Sequence, residues 1–139
     1  MNNEHTTGRM SAAEIALLTQ AEKDFILINL DPKMQILLKD TSEVLFFMGD
    51  DDYVKVYFVN GKCKQYPACL KDVIIFLDPE IFYDGHKSYI TNVKLATGSQ
   101  SRGGWRKVFF GDAVETSRIS KFFKAGFKAQ FNKLHPERK

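Results

Sequence analysis

Residues 84–92 (DGHKSYITN) concentrate side chains that can hydrogen-bond, directly behind an Asp-Gly turn signal. Asp84, His86 and Ser88 are residue types from which a nucleophilic catalytic set can be built. Side chains at i and i+2 of one strand, however, give no assured Ser–His contact, and the chain has no nucleophile-elbow sequence. We therefore expect no catalysis, and interpret the stretch with Lys87 as a set of hydrogen-bonding groups for a bound ligand.

The charge distribution indicates what kind of ligand this is. Residues 1–60 carry five Lys/Arg against ten Asp/Glu and residues 61–139 carry fifteen against seven, so a net charge of +3 is divided into −5 and +8. Residues 117–139 alone hold seven Lys/Arg against the single acid Glu137. Such a run is often only the solvated face of a helix. A polyanion would nevertheless bind in the basic half.

Length and composition favour one compact domain, with 139 residues of which 44% are hydrophobic. No apolar run approaches the roughly 18 residues of a membrane span, and the N-terminus lacks a secretory signal, which predicts a cytoplasmic protein. Cys63 and Cys69 are the only cysteines. We expect both to be small buried hydrophobic residues, and we expect neither a metal nor a cofactor.

The first thirty residues favour a short extension. Residues 1–10 are typical of a disordered tail, and residues 11–19 (SAAEIALLT) predict a helix in which Ser11 and Glu14 form a capping box. FILINL (25–30) favours a strand, although a helix continuing from residue 11 remains open. Pro32 then separates this segment from MQILLKD.

The middle of the chain predicts strands. EVLFFMG (43–49) is one, and the alternating pattern of Tyr53 to Val59 is a half-buried second. Asn60-Gly61 is the preferred dipeptide of a two-residue hairpin turn, so residues 62–66 should return antiparallel. A short helix over residues 70–77 follows, with apolar residues at helical spacing.

The last third predicts two further extended segments, at residues 81–83 and 87–93, and a flexible loop over GSQSRGG (98–104). WRKVFF (105–110) and AVET (113–116) are expected to form a hairpin across Gly111-Asp112, with Trp105 in the core. An amphipathic helix should start near Thr116 or Ser117. Its predicted apolar face is Ile119, Phe122, Phe123, Gly126, Phe127, Gln130 and Leu134.

Three ordered motifs carry a family resemblance. They are EVLFFMGDDDYVKVYF, then KQYPACLKDVIIFLDPEIFYDGHKSYITNVK, then VETSRISKFF, and together they span roughly residues 33–127. This series resembles the LytTR DNA-binding domain of bacterial transcription regulators. Its Phe-x-x-x-His-(Arg/Lys)-Ser-(Tyr/Phe)-(Ile/Val)-x-Asn signature matches residues 82–92, and residues 115–118 match the closing motif.

The resemblance implies a mainly β domain: an elongated antiparallel fold of about ten strands, with a short inserted helix and a C-terminal amphipathic helix. The domain would cover residues 31–139, behind an N-terminal extension of residues 1–30. It implies a transcription regulator whose loops reach successive major grooves of double-stranded DNA. Direct-repeat sites in the family suggest two copies on one DNA, and a homodimer is a further option.

The resemblance also implies which residues meet the DNA. Tyr53, Lys87 with its neighbour His86, and Arg118 would lie at the bases, while Ser88 and Asn92 would support the loops or contact phosphates. Lys and Arg suit this role, since they donate to guanine O6 and N7 or to phosphates. Lys121 and Lys124 lie close enough in sequence to add phosphate contacts. The expected DNA-binding residues are Tyr53, His86, Lys87, Ser88, Asn92, Arg118, Lys121 and Lys124.

Other interpretations of these residues stay open. Asn92 could serve a buried backbone group, and Tyr53 could simply pack. The acidic run of residues 50–52 would oppose DNA binding unless its side chains point away or meet lysines. The alternative function is a basic β module that binds RNA or a protein partner. Binding of single-stranded RNA would need Tyr53, Tyr57, Tyr83 and Tyr89 together on an open sheet.

Overall fold

A computed structural model describes residues 7–138, so most of the predicted N-terminal tail (residues 1–6) lies outside the described residues. The described chain is mainly β, as predicted, with eight strands in two antiparallel sheets. The described residues thus form eight strands where about ten were expected. Residues 7–10 lie against the body of the protein. Met10 packs against the hydrophobic core that contains Phe47 and Ile90, called the main core below, and the side chain of Arg9 is largely buried.

The larger sheet contains β1 (Val44–Asp50), β2 (Tyr53–Phe58), β3 (Cys63–Pro67), β4 (Phe82–His86) and β5 (Tyr89–Asn92). Across the sheet their order is β3-β2-β1-β5-β4. The predicted hairpin at Asn60-Gly61 is confirmed, but the expected two-residue turn is wrong. The Phe58 N–H donates to the Lys62 carbonyl, so the loop also includes Val59, and Gly61 in it has a positive φ of 85°. The predicted strand at residues 43–49 and the extended segments on either side of Lys87 are also confirmed.

The smaller sheet corrects two predictions. It consists of β6 (Gly98–Arg102), β7 (Trp105–Phe109) and β8 (Ser117–Ile119), in that order. The flexible loop over residues 98–104 is wrong, because β6 pairs with β7 across Gly103-Gly104, whose φ values of 60° and 116° make a tight turn. The hairpin across Gly111-Asp112 is also wrong, since residues 113–116 form no strand and β8 is the partner of β7.

The N-terminal helices confirm one prediction and overturn another. The helix predicted from Ser11 is α1 (Ala12–Ala16), and Ser11 and Glu14 form the expected capping box. The strand predicted at residues 25–30 is wrong, because a second capping box at Thr19 starts α2 (Gln20–Ile28). Asp31 caps α3 (Pro32–Leu37), which has proline at its first position, where a missing N–H is tolerated.

The helix predicted at residues 70–77 is confirmed as α4 (Leu70–Val73), which continues into a 3₁₀ turn, Ile74–Phe76. The predicted start of the C-terminal helix near Ser117 is wrong. Residues 117–119 belong to β8, and the helix α5 (Lys124–Leu134) begins only after a 3₁₀ turn at Lys121–Phe123. Because Ser117 pairs with Val108 in the smaller sheet, its backbone is extended and the helix can begin only further along the chain.

The five-stranded sheet is covered on both faces. One face packs against α1–α4 in a core that includes Phe47 and Ile90, and the other packs against β6–β8 and α5 in a core that includes Phe46 and Val108. Successive residues of a strand point to opposite faces, which is why Phe46 and Phe47 lie in different cores. Burial of apolar surface in both layers stabilises the sheet that holds the candidate site.

Three packing predictions are corrected. Cys63 and Cys69 are both exposed, because Cys63 lies on the edge strand β3 and Cys69 directly precedes α4. Trp105 is half-buried and belongs to neither core. Phe122, expected on the apolar face of the helix, is 58% exposed in the 3₁₀ turn.

Over residues 7–138, the protein has no helix whose length and hydropathy would suit it to crossing a membrane.

Candidate nucleic-acid interface

Two turns meet at one end of the five-stranded sheet. The β1–β2 turn contains the acidic residues 50–52, and the β4–β5 turn contains Lys87 and Ser88. They are neighbours because β1 pairs antiparallel with β5, and the Gly49 N–H donates to the Ser88 carbonyl at 2.9 Å. A shallow groove of about 360 Å³ lies between them. Its lining includes Arg9, Asp51, Tyr53, Lys71, Lys87 and Ser88.

The β4–β5 turn presents Lys87 to solvent on a well-defined backbone. The Ser88 N–H donates to Nδ1 of His86 at 2.9 Å, and the His86 ring packs edge-on against Tyr89 at a centroid distance of 5.1 Å. Burial lowers the pKa of His86, and the positive charges of Arg118 and Arg9 lower it further. These effects favour the neutral ring, which alone has a free nitrogen to accept the Ser88 hydrogen.

Arg9 connects this turn to the N-terminal segment through hydrogen bonds. Its Nε and Nη2 donate to Asp84 Oδ1 at 2.9 and 2.6 Å, and Thr7 Oγ1 donates to the other carboxylate oxygen at 2.9 Å. Nη1 donates to the Lys87 carbonyl at 2.8 Å, and Nη2 donates to the His86 carbonyl at 2.5 Å. Sequence reasoning missed Arg9, because it lies in the predicted tail and its partners are more than 70 residues away.

Arg118 lies on β8, close to the same turn. The chain just after β8 is bonded to β4, since the Ser120 N–H donates to the Gly85 carbonyl at 2.7 Å. The guanidinium of Arg118 stacks over the Trp105 ring at 4.4 Å and is exposed to solvent. Gly85 directly precedes His86, and Ser120 follows Arg118 by two residues, so the bond between Ser120 and Gly85 places Arg118 on a segment that lies against the end of β4 next to Lys87.

Within residues 7–138, neither Lys87 nor Arg118 forms an ion pair with an acid. The ion pairs found between described side chains are Arg9 with Asp84 and Lys55 with Asp50. Both Lys87 and Arg118 are exposed. Their charges are therefore available to an anionic ligand. Sequence reasoning did not anticipate the aromatic support of Arg118, although an arginine and a tryptophan on neighbouring strands are a pair that can stack.

The other side of the groove is formed by Tyr53 and the acidic turn. Tyr53 is 45% exposed, so its ring is available for contact with a ligand. Asp51 has a φ of 57°, the left-handed conformation that Asp and Asn tolerate better than most residues. The Asp50 carboxylate lies 3.7 Å from Nζ of Lys55, so one of the three acids meets a lysine.

Ser88 and Asn92 differ in their positions. Ser88 lines the groove, whereas Asn92 is only 2% exposed. Nδ2 of Asn92 donates to the Val44 carbonyl at 2.8 Å, and its Oδ1 accepts from the Leu95 N–H at 3.1 Å. This burial leaves Asn92 no surface for a DNA contact and corrects its inclusion among the contacting residues. Its amide groups satisfy the backbone around β1 and β5 instead.

Lys121 and Lys124 flank the start of the C-terminal helix. Lys121 is exposed, with Nζ 5.7 Å from the centre of the Phe122 ring, and Lys124 is half-buried. They do not follow Arg118 along one helix as expected, because Arg118 lies on a strand. Neither lysine is among the described residues that line the groove.

The tyrosines do not form an open platform. Tyr57, Tyr83 and Tyr89 pack against the core beneath β6–β8, and Tyr57 stacks on Phe46 with a centroid distance of 4.5 Å. The Tyr83 hydroxyl donates to the Phe123 carbonyl at 2.9 Å, and burial raises the pKa of Tyr83 to about 12, with a smaller contribution from Asp84. Among the residues described, no group of His, Cys, Asp and Glu could hold a metal ion.

Comparison with known proteins identifies the fold. No protein-family model matches the chain. A solved LytTr DNA-binding domain of a Bacillus cereus response regulator is similar, with a TM-score of 0.52 and 18% sequence identity. The similarity covers 67% of this chain and 81% of that domain. The resemblance drawn from the sequence motifs is thus confirmed at the level of the fold: this chain has the fold of a LytTR DNA-binding domain.

Proposed function

We propose that this protein is a bacterial transcription regulator that binds double-stranded DNA sequence-specifically, through the turns at one end of its five-stranded sheet. The observation that carries the proposal is the position of Tyr53, Lys87 and Ser88 around one groove, with Arg118 on the strand whose end is bonded to β4 just before the same turn. Lys87 and Arg118 are exposed and lack acidic partners among the described residues, so they can meet the phosphates and base edges of a duplex.

The residue chemistry suggests a division of roles. Arg118 is the base reader, because a guanidinium can donate two parallel hydrogen bonds to guanine O6 and N7 in the major groove. Trp105 limits the rotamers of Arg118 before it binds, which reduces the entropy lost on binding. Lys87 and Ser88 contact either a base or a phosphate, Tyr53 packs against the backbone or a base, and His86 shapes the turn.

Long-range attraction comes from other residues. Lys121 and Lys124 supply phosphate contacts, which add affinity without sequence preference. The acidic β1–β2 turn opposes this attraction, although the lysine beside Asp50 reduces its effect. Asn92 acts only by holding β1 and β5 together.

The arrangement of the tyrosines argues against the alternative of single-stranded RNA binding. Such binding relies on exposed aromatic rings on which unstacked bases can lie. Tyr57, Tyr83 and Tyr89 are instead packed against a core and, of the four tyrosines, only Tyr53 is on the groove. A catalytic role for Asp84, His86 and Ser88 is disfavoured as well, because the Asp84 carboxylate is bound by Arg9 and Thr7, and His86 Nδ1 accepts from a backbone N–H.

Further parts of the proposal concern assembly and location. We propose that two copies bind direct repeats on one DNA, either separately or as a homodimer, in the cytoplasm. Residues 1–30 form an extension on the DNA-binding domain of residues 31–139. The extension packs on the domain, since Ile15, Leu18 and Ile26 contact the main core.

Selection of random duplexes by the purified protein tests this function. We expect enrichment of a short motif, occurring as a spaced pair if two copies bind. The double variant Lys87→Ala, Arg118→Ala should enrich nothing. Lys62→Ala combined with Lys64→Ala is the matched control for the loss of two positive charges, because both lysines are exposed on the β2–β3 hairpin and neither lines the groove. Absence of enrichment by the unchanged protein, or equal enrichment by the double variant, would refute the proposal.

A further inference from the structure

The contacts of Arg9 differ from those of the other cations near the groove. Its side chain is only 6% exposed, and it donates four hydrogen bonds to Asp84, His86 and Lys87. A guanidinium has five N–H donors, so Arg9 has almost none left for a ligand. Arg9 is therefore suited to shaping the turn that carries Lys87, and unsuited to contacting DNA itself.

Four hydrogen bonds hold the backbone of this turn. Arg9 donates to the carbonyls of His86 and Lys87, which belong to the peptide groups that precede and follow the Lys87 Cα. The Ser88 N–H donates to His86 Nδ1, and the Ser88 carbonyl accepts from the Gly49 N–H. With these peptide groups held, the direction in which the Lys87 side chain leaves the backbone is set before any ligand arrives.

Arg9 also neutralises a carboxylate close to the expected position of the DNA. Asp84 keeps 22% of its side chain exposed and precedes Lys87 by only three residues. Without a cation, its charge would repel phosphates and partly cancel the attraction of Lys87. Thr7 donates to the second carboxylate oxygen, so the short segment from Thr7 to Arg9 satisfies both oxygens of Asp84.

We infer that Arg9 is a positioning residue for DNA recognition, through which the N-terminal extension holds the His86–Ser88 turn in its binding conformation and neutralises Asp84. This inference rests on the proposed function. It makes the extension part of the binding site, although residues 1–30 lie outside the motifs that carry the family resemblance. The anchor of the extension is apolar, since Met10 and Ile15 pack against the main core next to Arg9.

The test compares Arg9→Ala and Arg9→Lys with the unchanged full chain, using the duplex that the unchanged chain selects. Arg9→Ala should weaken binding by at least about tenfold, equivalent to about 1.4 kcal/mol, and should reduce the preference for the selected duplex over a scrambled one. Arg9→Lys keeps a positive charge beside Asp84. The ammonium group of lysine, however, lacks the planar array of N–H donors with which the guanidinium binds two carbonyls and a carboxylate at once. Arg9→Lys should regain affinity for both duplexes without regaining the preference.

Amide hydrogen exchange separates positioning from general destabilisation. In both variants we expect faster exchange at Ser88, while amides in the centre of the sheet such as Phe47 and Val56 exchange as before. Lys62→Ala, which removes one positive charge at the far end of the sheet, should change neither exchange nor preference. If Arg9→Ala proves too unstable to measure, Arg9→Lys provides the comparison.

Two results would overturn the inference, and only one of them would also refute the proposed DNA-binding function. Unchanged preference and unchanged Ser88 exchange in both Arg9 variants would refute the role of Arg9 and leave the DNA-binding proposal intact. If the unchanged chain prefers no duplex at all, the proposed function fails and the inference fails with it.

Discussion

The two turns that border the groove are built in opposite ways. The β4–β5 turn carries an exposed cation, Lys87, and its backbone is held by Arg9, His86 and Gly49. The β1–β2 turn carries three acids, and an ion pair at 3.7 Å joins one of them to a lysine. The proposed function therefore rests mainly on the β4–β5 turn, which combines an exposed cation with a backbone held by hydrogen bonds, and only secondarily on the acidic β1–β2 turn.

Arg118→Ala should have the largest effect, because it removes the side chain that we propose as the base reader. We expect the preferred duplex to lose about 1–3 kcal/mol of binding free energy, and neighbouring sequences to lose less. Protein stability should change little, since within the protein the substitution removes one exposed stacking interaction with Trp105. Binding across a library of single-base variants measures this, and an even loss across the library would contradict base reading by Arg118.

Lys121→Ala combined with Lys124→Ala should have a smaller and more uniform effect. If both lysines bind phosphates, the slope of log affinity against log salt concentration falls by about 0.9 for each phosphate that is no longer neutralised. All duplexes should weaken alike, because phosphate contacts carry no sequence information. A salt titration with selected and scrambled duplexes measures the change. A loss confined to the selected duplex would instead assign these lysines to base contacts.

Neutralising the acidic turn should strengthen binding slightly. Asp52→Asn removes a carboxylate near the expected phosphates, and Asp51→Asn does the same while keeping a residue that tolerates a φ of 57°. We expect a gain of about 0.2–1 kcal/mol for each, the usual size of an exposed charge interaction, on every duplex. Glu43→Gln is the matched control, because Glu43 is exposed at the other end of β1. No gain would mean that the β1–β2 turn stays away from DNA.

The smallest effect concerns acid pH and the β4–β5 turn. The pKa of His86 is lowered in the folded protein by burial and by two arginines. As the pH falls, the unfolded chain therefore takes up a proton on His86 before the folded protein does, and folding becomes less favourable. The contribution of His86 to the free energy of unfolding is complete above the ordinary pKa near 6.5. It is lost as the pH falls from there through the lowered pKa of the folded protein. Protonation also removes the acceptor for the Ser88 N–H. An NMR titration should place this pKa below 6.5, with faster Ser88 exchange below it, and a raised pKa would contradict this arrangement.

Local patterns predicted the elements that depend on local chemistry. The Asn60-Gly61 hairpin, the Ser11 capping box and the amphipathic α4 each have their signals within a few residues. β6 was missed because its residues, Gly98–Arg102, are polar and lie on the edge of a small sheet, where no apolar alternation is needed. The helix α2 was missed because its start depends on Thr19 and Glu22, a capping box that lies outside the apolar segment suggesting a strand.

The site was predictable only in part. Tyr53, Lys87 and Ser88 follow from motifs in sequence order, and the fold brings them to one groove. The burial of Asn92 depends on a carbonyl 48 residues away, and the bonds of Arg9 to the β4–β5 turn span 75 to 78 residues. No periodicity or spacing contains such information, because it arises only when distant segments pack together.

The most direct test of base reading in the major groove replaces single guanines of the selected duplex with 7-deazaguanine, which lacks the N7 acceptor. We expect at least one position at which this replacement weakens binding of the unchanged protein and leaves binding of Arg118→Ala unaffected. If no position is sensitive, or if both proteins respond equally at every position, Arg118 does not donate to guanine N7 in the major groove.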